Sequence, residues 1–322
     1  MNKSRFSWAD VFTLSASLIF GFVCYMGASF LNIGNEDVWS MNHTFGCILI
    51  AVVCSGILFV TALSAKLLKR TSRNFKTNYI YEVILLGLFV LFATFLTFKS
   101  SPFTHFFTVT AQKSEINSKL QLRINQAENM FIEYETYANN RENLYKHKLA
   151  SVVSGKWVNS KQYNAYGFNG SNGVSDASQI ATKMFTIHAD LFPSNYSDTI
   201  NHNGIKEIAM QWLRDAKSTT SSWKPISIVG VVDEIDNYSN EWLNGLVVHS
   251  QIRENGEIAS DFSYPLTFDD VKTHFTLIDS PSGLALSLAV LSYILMLLSW
   301  FITKRDTRVR GANETMNYEV VL

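Results

Sequence analysis

Residues 64–78 read SAKLLKRTSRNFKTN. Lys66, Lys69, Arg70, Arg73 and Lys76 lie in this stretch with no acid among them, and long apolar runs flank it on both sides. Such a basic run is either a patch for a nucleic acid or a mark of how the chain lies in a membrane. The flanking runs decide between the two.

Four runs have the length and composition of membrane spans. They are VFTLSASLIFGFVCYMGASFL (11–31), FGCILIAVVCSGILFVTALSA (45–65), NYIYEVILLGLFVLFATFLT (about 79–98) and LALSLAVLSYILMLLSWFI (284–302). At 1.5 Å rise per residue each covers about 28–32 Å, the thickness of a hydrocarbon core. Their only acid is Glu82, close to one end of the third run. A mid-span charge costs roughly 2.5–3.5 kcal/mol on insertion, so a set this free of charge is a membrane pattern. Lys3 and Arg5 before the first run resemble a signal-peptide n-region. The run is longer than the usual apolar core of a signal peptide and no small-x-small site follows, so a retained anchor is expected.

Sidedness follows from the basic residues, which are enriched in cytoplasmic loops. Lys3 and Arg5, the five in 64–78, and Lys304, Arg305, Arg308 and Arg310 in the tail TKRDTRVRGANETMNYEVVL make eleven. Four spans with both termini inside put all eleven on one face. The first outer loop, NIGNEDVWSMNHT, has no Lys or Arg, and Lys99 is the one nearby exception. The opening stretch therefore reads as an orientation signal that also touches anionic lipid. No basic excess, aromatic platform or helix-turn-helix accompanies it, which argues against nucleic acid: the chain has 27 bases and 27 acids.

The organisation expected is an N-terminal tail with three transmembrane helices (1–98), an extracytoplasmic α+β domain (99–283), a fourth transmembrane helix (284–302) and a cytoplasmic tail (303–322). The middle segment holds 16 basic and 20 acidic residues and no cysteine; Cys24, Cys47 and Cys54 all lie in spans. With no disulfide framework, this outer domain suits a bacterial periplasm better than a eukaryotic surface. The multi-pass chain is thus expected in a bacterial inner membrane.

Pro102 should interrupt the chain after the third span, giving a bend near Ser100–Pro102. One long helix is expected over about 110–153. Ile116, Leu120, Ile124, Ala127, Phe131, Tyr134, Ala138, Tyr145, Leu149 and Val152 recur at three- and four-residue steps, with Arg141 filling one step. Such a stripe either packs on its own domain or pairs with a partner or a second copy. Shorter helices are expected over 177–192 and 203–217. Strands are expected at PISIVGVV (225–232), NGLVVHSQI (244–252) and IASDFSYPL (258–266), the last two joined by an Asn255-Gly256 hairpin turn, with DEIDN (233–237) as an acidic turn. The fold class is then a 3+1 transmembrane bundle with an α+β domain carrying a small antiparallel sheet.

The chemistry-bearing motifs are missing. The seven histidines make no H-x-x-x-H or H-E-x-x-H pattern, and there is no G-x-S-x-G elbow, Walker loop or kinase motif. His188 with Asp190 is a weak ligand pair, and DEIDN lacks EF-hand spacing. No catalytic residue, cofactor or metal site is expected. Ser17–Gly21, Ala51–Ser55 and Ala285–Ala289 are small-xxx-small pairs that allow close helix approach. No mid-span acid, base or histidine marks an ion path.

The span layout, the helix QAENMFIEYETYANNRENLYKHKL (126–149) and the short basic tail resemble envelope proteins of Bacteroidota, specifically the TssN inner-membrane subunit of their type VI secretion system. The resemblance lies in layout and in that helix, with no functional residue carried over. It implies a structural, non-catalytic part in a contractile injection machine, docking other membrane or periplasmic proteins. A membrane sensor signalling to a separate cytoplasmic partner is the second expectation, and a membrane enzyme or transporter the third.

Overall fold

The computed structural model describes residues 7–70, 74–98, 101–168, 173–198, 200–201, 203–254, 257–258, 261–267 and 270–305. Lys3, Arg5, Arg73, Lys99, Arg308, Arg310 and Asn255–Gly256 lie outside them. In chain order the elements are α1 (Trp8–Leu31), β1 (Asp37–Val38), β2 (Met41–Asn42), α2 (His43–Lys69), α3 (Phe75–Phe95), α4 (Pro102–Ala111), α5 (Lys113–Ser154), α6 (Ser160–Ala165), α7 (Asp176–Leu191), α8 (Ile205–Ser221), α9 (Pro225–Ser250), β3 (Arg253–Glu254), β4 (Glu257–Ile258), α10 (Val271–Thr276) and α11 (Gly283–Ile302). They form two compact units, one of Met1–Ile116 with Asp270–Leu322 and one of Asn117–Asp269.

The first unit contains α1, α2, α3 and α11, four helices long and apolar enough to cross a membrane. Polar caps set their starts. Ser7 and Asp10 close a reciprocal capping box on α1, Asn42 caps α2, and the Ser282 hydroxyl accepts from Ala285 N–H at 3.1 Å. Helix α1 packs against α2, α4 and α11, and α2 against α3. The core joins Phe20, Cys24, Leu58, Phe89, Phe103 and Met296, with Phe20 stacked on Phe103 at 4.5 Å.

Small residues make these approaches possible. A Cβ on Gly21 would stand 2.8 Å from Ser55 Oγ, and the Ser17 hydroxyl donates to Ser55 O at 3.4 Å. The Ser17–Gly21 and Ala51–Ser55 pairs therefore face each other. At Gly27 the crossing with α4 is closer still, for an added Cβ would lie 1.7 Å from Pro102 O. Pro102 takes the first turn of α4, where its missing N–H costs no hydrogen bond. Helix α3 ends at Phe95, ahead of the reach of Pro102, so proline marks the start of α4; Ser100, in the expected bend, lies outside the described residues. Between α1 and α2, Asp37–Val38 pairs antiparallel with Met41–Asn42 around Trp39 and Ser40, both at positive φ.

The second unit is built on α5. Its 42 residues run about 63 Å at 1.5 Å each. The apolar stripe is buried within the chain: Leu120, Ile124, Phe131, Tyr134 and Leu149 are fully inaccessible and Tyr145 is partly buried, while Ile116, also inaccessible, belongs to the first unit. Phe131 meets Trp242, which stacks on Tyr238 at 5.8 Å, and Tyr134 packs against Phe192, Tyr196 and Phe262. Arg141, in its stripe position, donates to Tyr137 Oη at 2.7 Å and to Ile252 O at 3.3 Å.

The expected sheet is corrected here. Residues 225–250, read as two strands and an acidic turn, form the single helix α9. Pro225 begins it, where a fixed φ favours a helix start as much as a strand edge. Ile228, Val231, Val232, Ile235, Ser239, Trp242 and Leu246 are its buried face, a three- and four-residue rhythm hidden by the β-branched run IVGVV. Asp236 of DEIDN is no turn residue: it pairs with Arg123 of α5. Among the described residues of this stretch, strand structure survives as Arg253–Glu254 against Glu257–Ile258, and 261–267 have no regular structure. The Ser250 hydroxyl accepts from Phe262 N–H at 2.8 Å and fixes that return.

Candidate functional site

Charges are gathered where α1 begins, α2 ends, α3 begins and α11 ends. Asp10 accepts from the buried ammonium of Lys66 and from the hydroxyl of Ser299, tying α1, α2 and α11. Glu82, 1% exposed, accepts at both oxygens from the single Arg305 Nη2, at 2.8 and 2.7 Å, and from the indole N–H of Trp300 at 2.8 Å. Arg305 also lies over the Tyr79 ring at 4.5 Å. Lys69 donates to Trp300 O at 2.9 Å and sits 4.1 Å over that ring.

The orientation residues thus divide. Lys66, Lys69 and Arg305 are structural ties between helices; Arg70, Lys76 and Lys304 are exposed. Asp10, Ser299 and Trp300 escaped the sequence reading. Asp10 stands one residue before the first apolar run, and only its pairing with a lysine fifty-six residues on gives it meaning. A charged nitrogen shared by both oxygens of a buried carboxylate ties α3 to the chain just past α11, as Lys66 ties α2 to α1, so this cluster holds helices together.

A second feature is a recess of about 450 Å³ in the 117–269 unit. Helix α5 supplies Glu135 and Asn139, α7 supplies His188, and the following loop adds Phe192, Pro193, Ser194, Tyr196 and Ser197. The loop is locked. Ile205 N–H donates to Asn195 O at 2.9 Å, Lys206 N–H to Tyr196 O at 3.0 Å, and Glu207 accepts from Ser197 Oγ at 2.6 Å and Asp198 N–H at 3.0 Å. Gly204 is required there, because a Cβ would meet Asp198 N at 2.5 Å.

Within the recess Glu135 accepts from Lys206 and from Tyr196 Oη, the latter at 3.1 Å. Burial, with Glu135 beside it, drives the Tyr196 phenol far above its ordinary range, so it stays a donor. His188 is exposed and its Nδ1 lies 2.7 Å from Glu142 Oε1, a surface contact with a residue other than Asp190. Ser197 is committed to Glu207, and no serine is held against this imidazole among the described hydrogen bonds. Among the described residues no three His, Cys, Asp or Glu side chains converge as a metal site. The recess can hold a small polar group by hydrogen bonds against aromatic walls; its residues come from three elements, which is why no local motif announced it. No family model matches the chain, and no curated protein or solved structure is significantly similar to it.

Proposed function

We propose that this chain is a non-enzymatic, multi-pass subunit of an envelope-spanning, secretion-type complex in a bacterial inner membrane. The four apolar helices anchor it, with both termini cytoplasmic. The 117–269 unit then lies in the periplasm and docks other membrane or periplasmic proteins, or further copies of the chain. The resemblance to TssN inner-membrane subunits gives the assembly proposed, a type VI secretion machine.

Its chief support is the charge cluster at one end of the four apolar helices. Lys66, Lys69 and Arg305 gather there with Asp10 and Glu82, while a separately packed unit of 153 residues is inserted between the third and fourth helices. One end rich in lysine and arginine is the pattern of a cytoplasmic face. Protease added to intact spheroplasts should cut within 117–269 and leave both termini protected. A protected middle segment overturns the topology, and purification as a lone monomer from its native membrane overturns complex membership.

The recess favours a second reading, a membrane sensor whose 117–269 unit binds a ligand and signals to a separate cytoplasmic partner. Saturable binding of a small polar ligand, abolished by Asn139→Trp, would favour it over the docking role.

A further inference from the structure

The far end of α5 carries the most exposed large apolar pair in the 117–269 unit. Trp157 is 88% and Val158 94% exposed, in the turn that joins α5 to α6. This turn is well made. Gly155 O accepts from the N–H of both Val158 and Asn159 at 2.9 Å, and Asn159 caps α6 by accepting from Gln162 N–H at 3.1 Å. Beneath it Leu149, Val152, Tyr163 and Phe168 form a buried cluster. A core is therefore at hand, yet Trp157 and Val158 are held outside it by an ordered backbone.

Charge separates at the same place. Residues 143–175 contain Lys146, Lys148, Lys156 and Lys161 and no acid. Lys183 joins them from α7, lying over the Phe168 ring at 5.5 Å. Asp176, next after this stretch, accepts from Lys156 at 2.9 Å and from the Tyr163 hydroxyl at 2.5 Å. Over 117–269 there are 13 basic and 17 acidic residues, so outside this tip the unit holds eight bases against sixteen acids. The tip is a cationic island on an acidic body. Lys146, Lys148 and Lys161 are exposed there, while Lys156 lies 5.3 Å from the Trp157 ring; an indole with an aliphatic neighbour amid exposed lysines matches the headgroup layer of a bilayer.

We propose that the α5–α6 tip is a peripheral membrane-contact element that seats Trp157 and Val158 among the headgroups of an anionic phospholipid surface, with the exposed Lys146, Lys148 and Lys161 facing the phosphates. This contact is separate from the spanning helices and does not depend on membership of a secretion complex. An anionic bilayer is the occupant that uses both halves of the feature, phosphates for the exposed lysines and the headgroup–acyl boundary for the indole and valine at the apex.

The test uses the full chain in nanodiscs of zwitterionic lipid, mixed with vesicles of phosphatidylcholine alone or with one third phosphatidylglycerol, and separated by flotation. The nanodisc-held protein should rise with the anionic vesicles, stay behind with the zwitterionic ones, and lose its attachment in high salt. Trp157→Ser/Val158→Ser and Lys146→Glu/Lys161→Glu should each weaken attachment by about tenfold or more. All four residues are exposed, so the helical fold is retained, which circular dichroism checks. Equal behaviour with both vesicle types, no flotation, or variants that float like the parent protein each overturn the proposal. So does a parent protein that ignores vesicles but is retained on an acidic polypeptide resin through the same lysines, because the tip then reads charge alone.

Discussion

The two units handle the same problem, charge near a packed helix, in opposite ways. In the bundle, charge within the four apolar helices is gathered near one end, and part of it is held in buried, shared pairs: Lys66 with Asp10 and Ser299, Arg305 with Glu82 and Trp300. The outward faces of α1, α3 and α11 are apolar, with Phe12, Leu18, Leu91 and Leu291 all exposed. In the 117–269 unit the apolar stripe of α5 turns inward and most charges lie at the surface, with Trp157 and Val158 at the α5–α6 turn standing out as exposed. There Arg123, the buried member of its pair, meets a partner, Asp236, that is still 35% exposed. One unit is built for a surrounding medium that accepts hydrocarbon and the other for water.

The largest way to break this contrast is to unpair a charge inside the bundle. Lys66→Met leaves Asp10 buried with only the Ser299 hydroxyl and backbone N–H for company, and should destabilise the bundle by about 3–5 kcal/mol. Asp10→Leu/Lys66→Met should recover most of that loss, because an apolar pair there needs no desolvation. Asp236→Leu, beside solvent, should cost less than Lys66→Met. Thermal unfolding in one detergent ranks all three, and equal losses from the Lys66 and Asp236 variants would erase the distinction.

Close backbone approach comes next. Gly27→Ala forces α1 away from Pro102 O and should cost about 1–3 kcal/mol, whereas Gly87→Ala on α3 meets nothing within 4 Å and should be neutral or slightly stabilising. The same unfolding assay checks the pair.

How much of this was readable beforehand depends on the range of the physics involved. The spans were visible because hydropathy is a local sum, and α5 because eleven positions of one stripe recur without Pro or Gly; only the junction at Gln112, where α4 ends and α5 begins, went unseen. Helix α9 was misread because IVGVV satisfies both periods over five residues, and only the extension through Trp242 to Leu246 selects 3.6. Asn255-Gly256 drew the eye to a hairpin that spans just two pairs. The Asp10–Lys66 tie and the recess around Glu135 and His188 depend on residues that meet only after folding, so no spacing rule reaches them.

In the water-built unit a single buried hydroxyl sharpens the comparison. Tyr134 Oη donates to Leu191 O at 2.6 Å from a fully buried position, and burial holds the phenol neutral well above its normal range. Tyr134→Phe keeps the ring contacts with Tyr196 and Phe262 and strands one carbonyl, a loss of about 1–3 kcal/mol. Tyr137→Phe, whose hydroxyl accepts from Arg141 at a part-buried site, should lose less. Denaturant unfolding of the two variants gives the order.

The smallest effect is acid sensitivity in the 117–269 unit. Burial alone would raise the Glu207 carboxyl, but hydrogen bonds from Ser197 and Asp198 N–H, with Lys206 alongside, outweigh it and hold the group below the usual range. Its folded value is thus below its unfolded one. The stability it lends is complete above about pH 4.3 and is lost as pH falls through the depressed value. His249 acts earlier: burial lowers it, so the unfolded chain takes up a proton that the folded chain refuses, and stability declines once pH drops below about 6.5. Amide exchange separates the two groups. Protection of the Asp198 amide should hold from pH 7 to about 5 and fail only in stronger acid, and Glu207→Gln should weaken it at every pH and flatten the dependence. A wild-type Asp198 amide that already opens near pH 6 would mean that the loop around the recess is held by something other than Glu207.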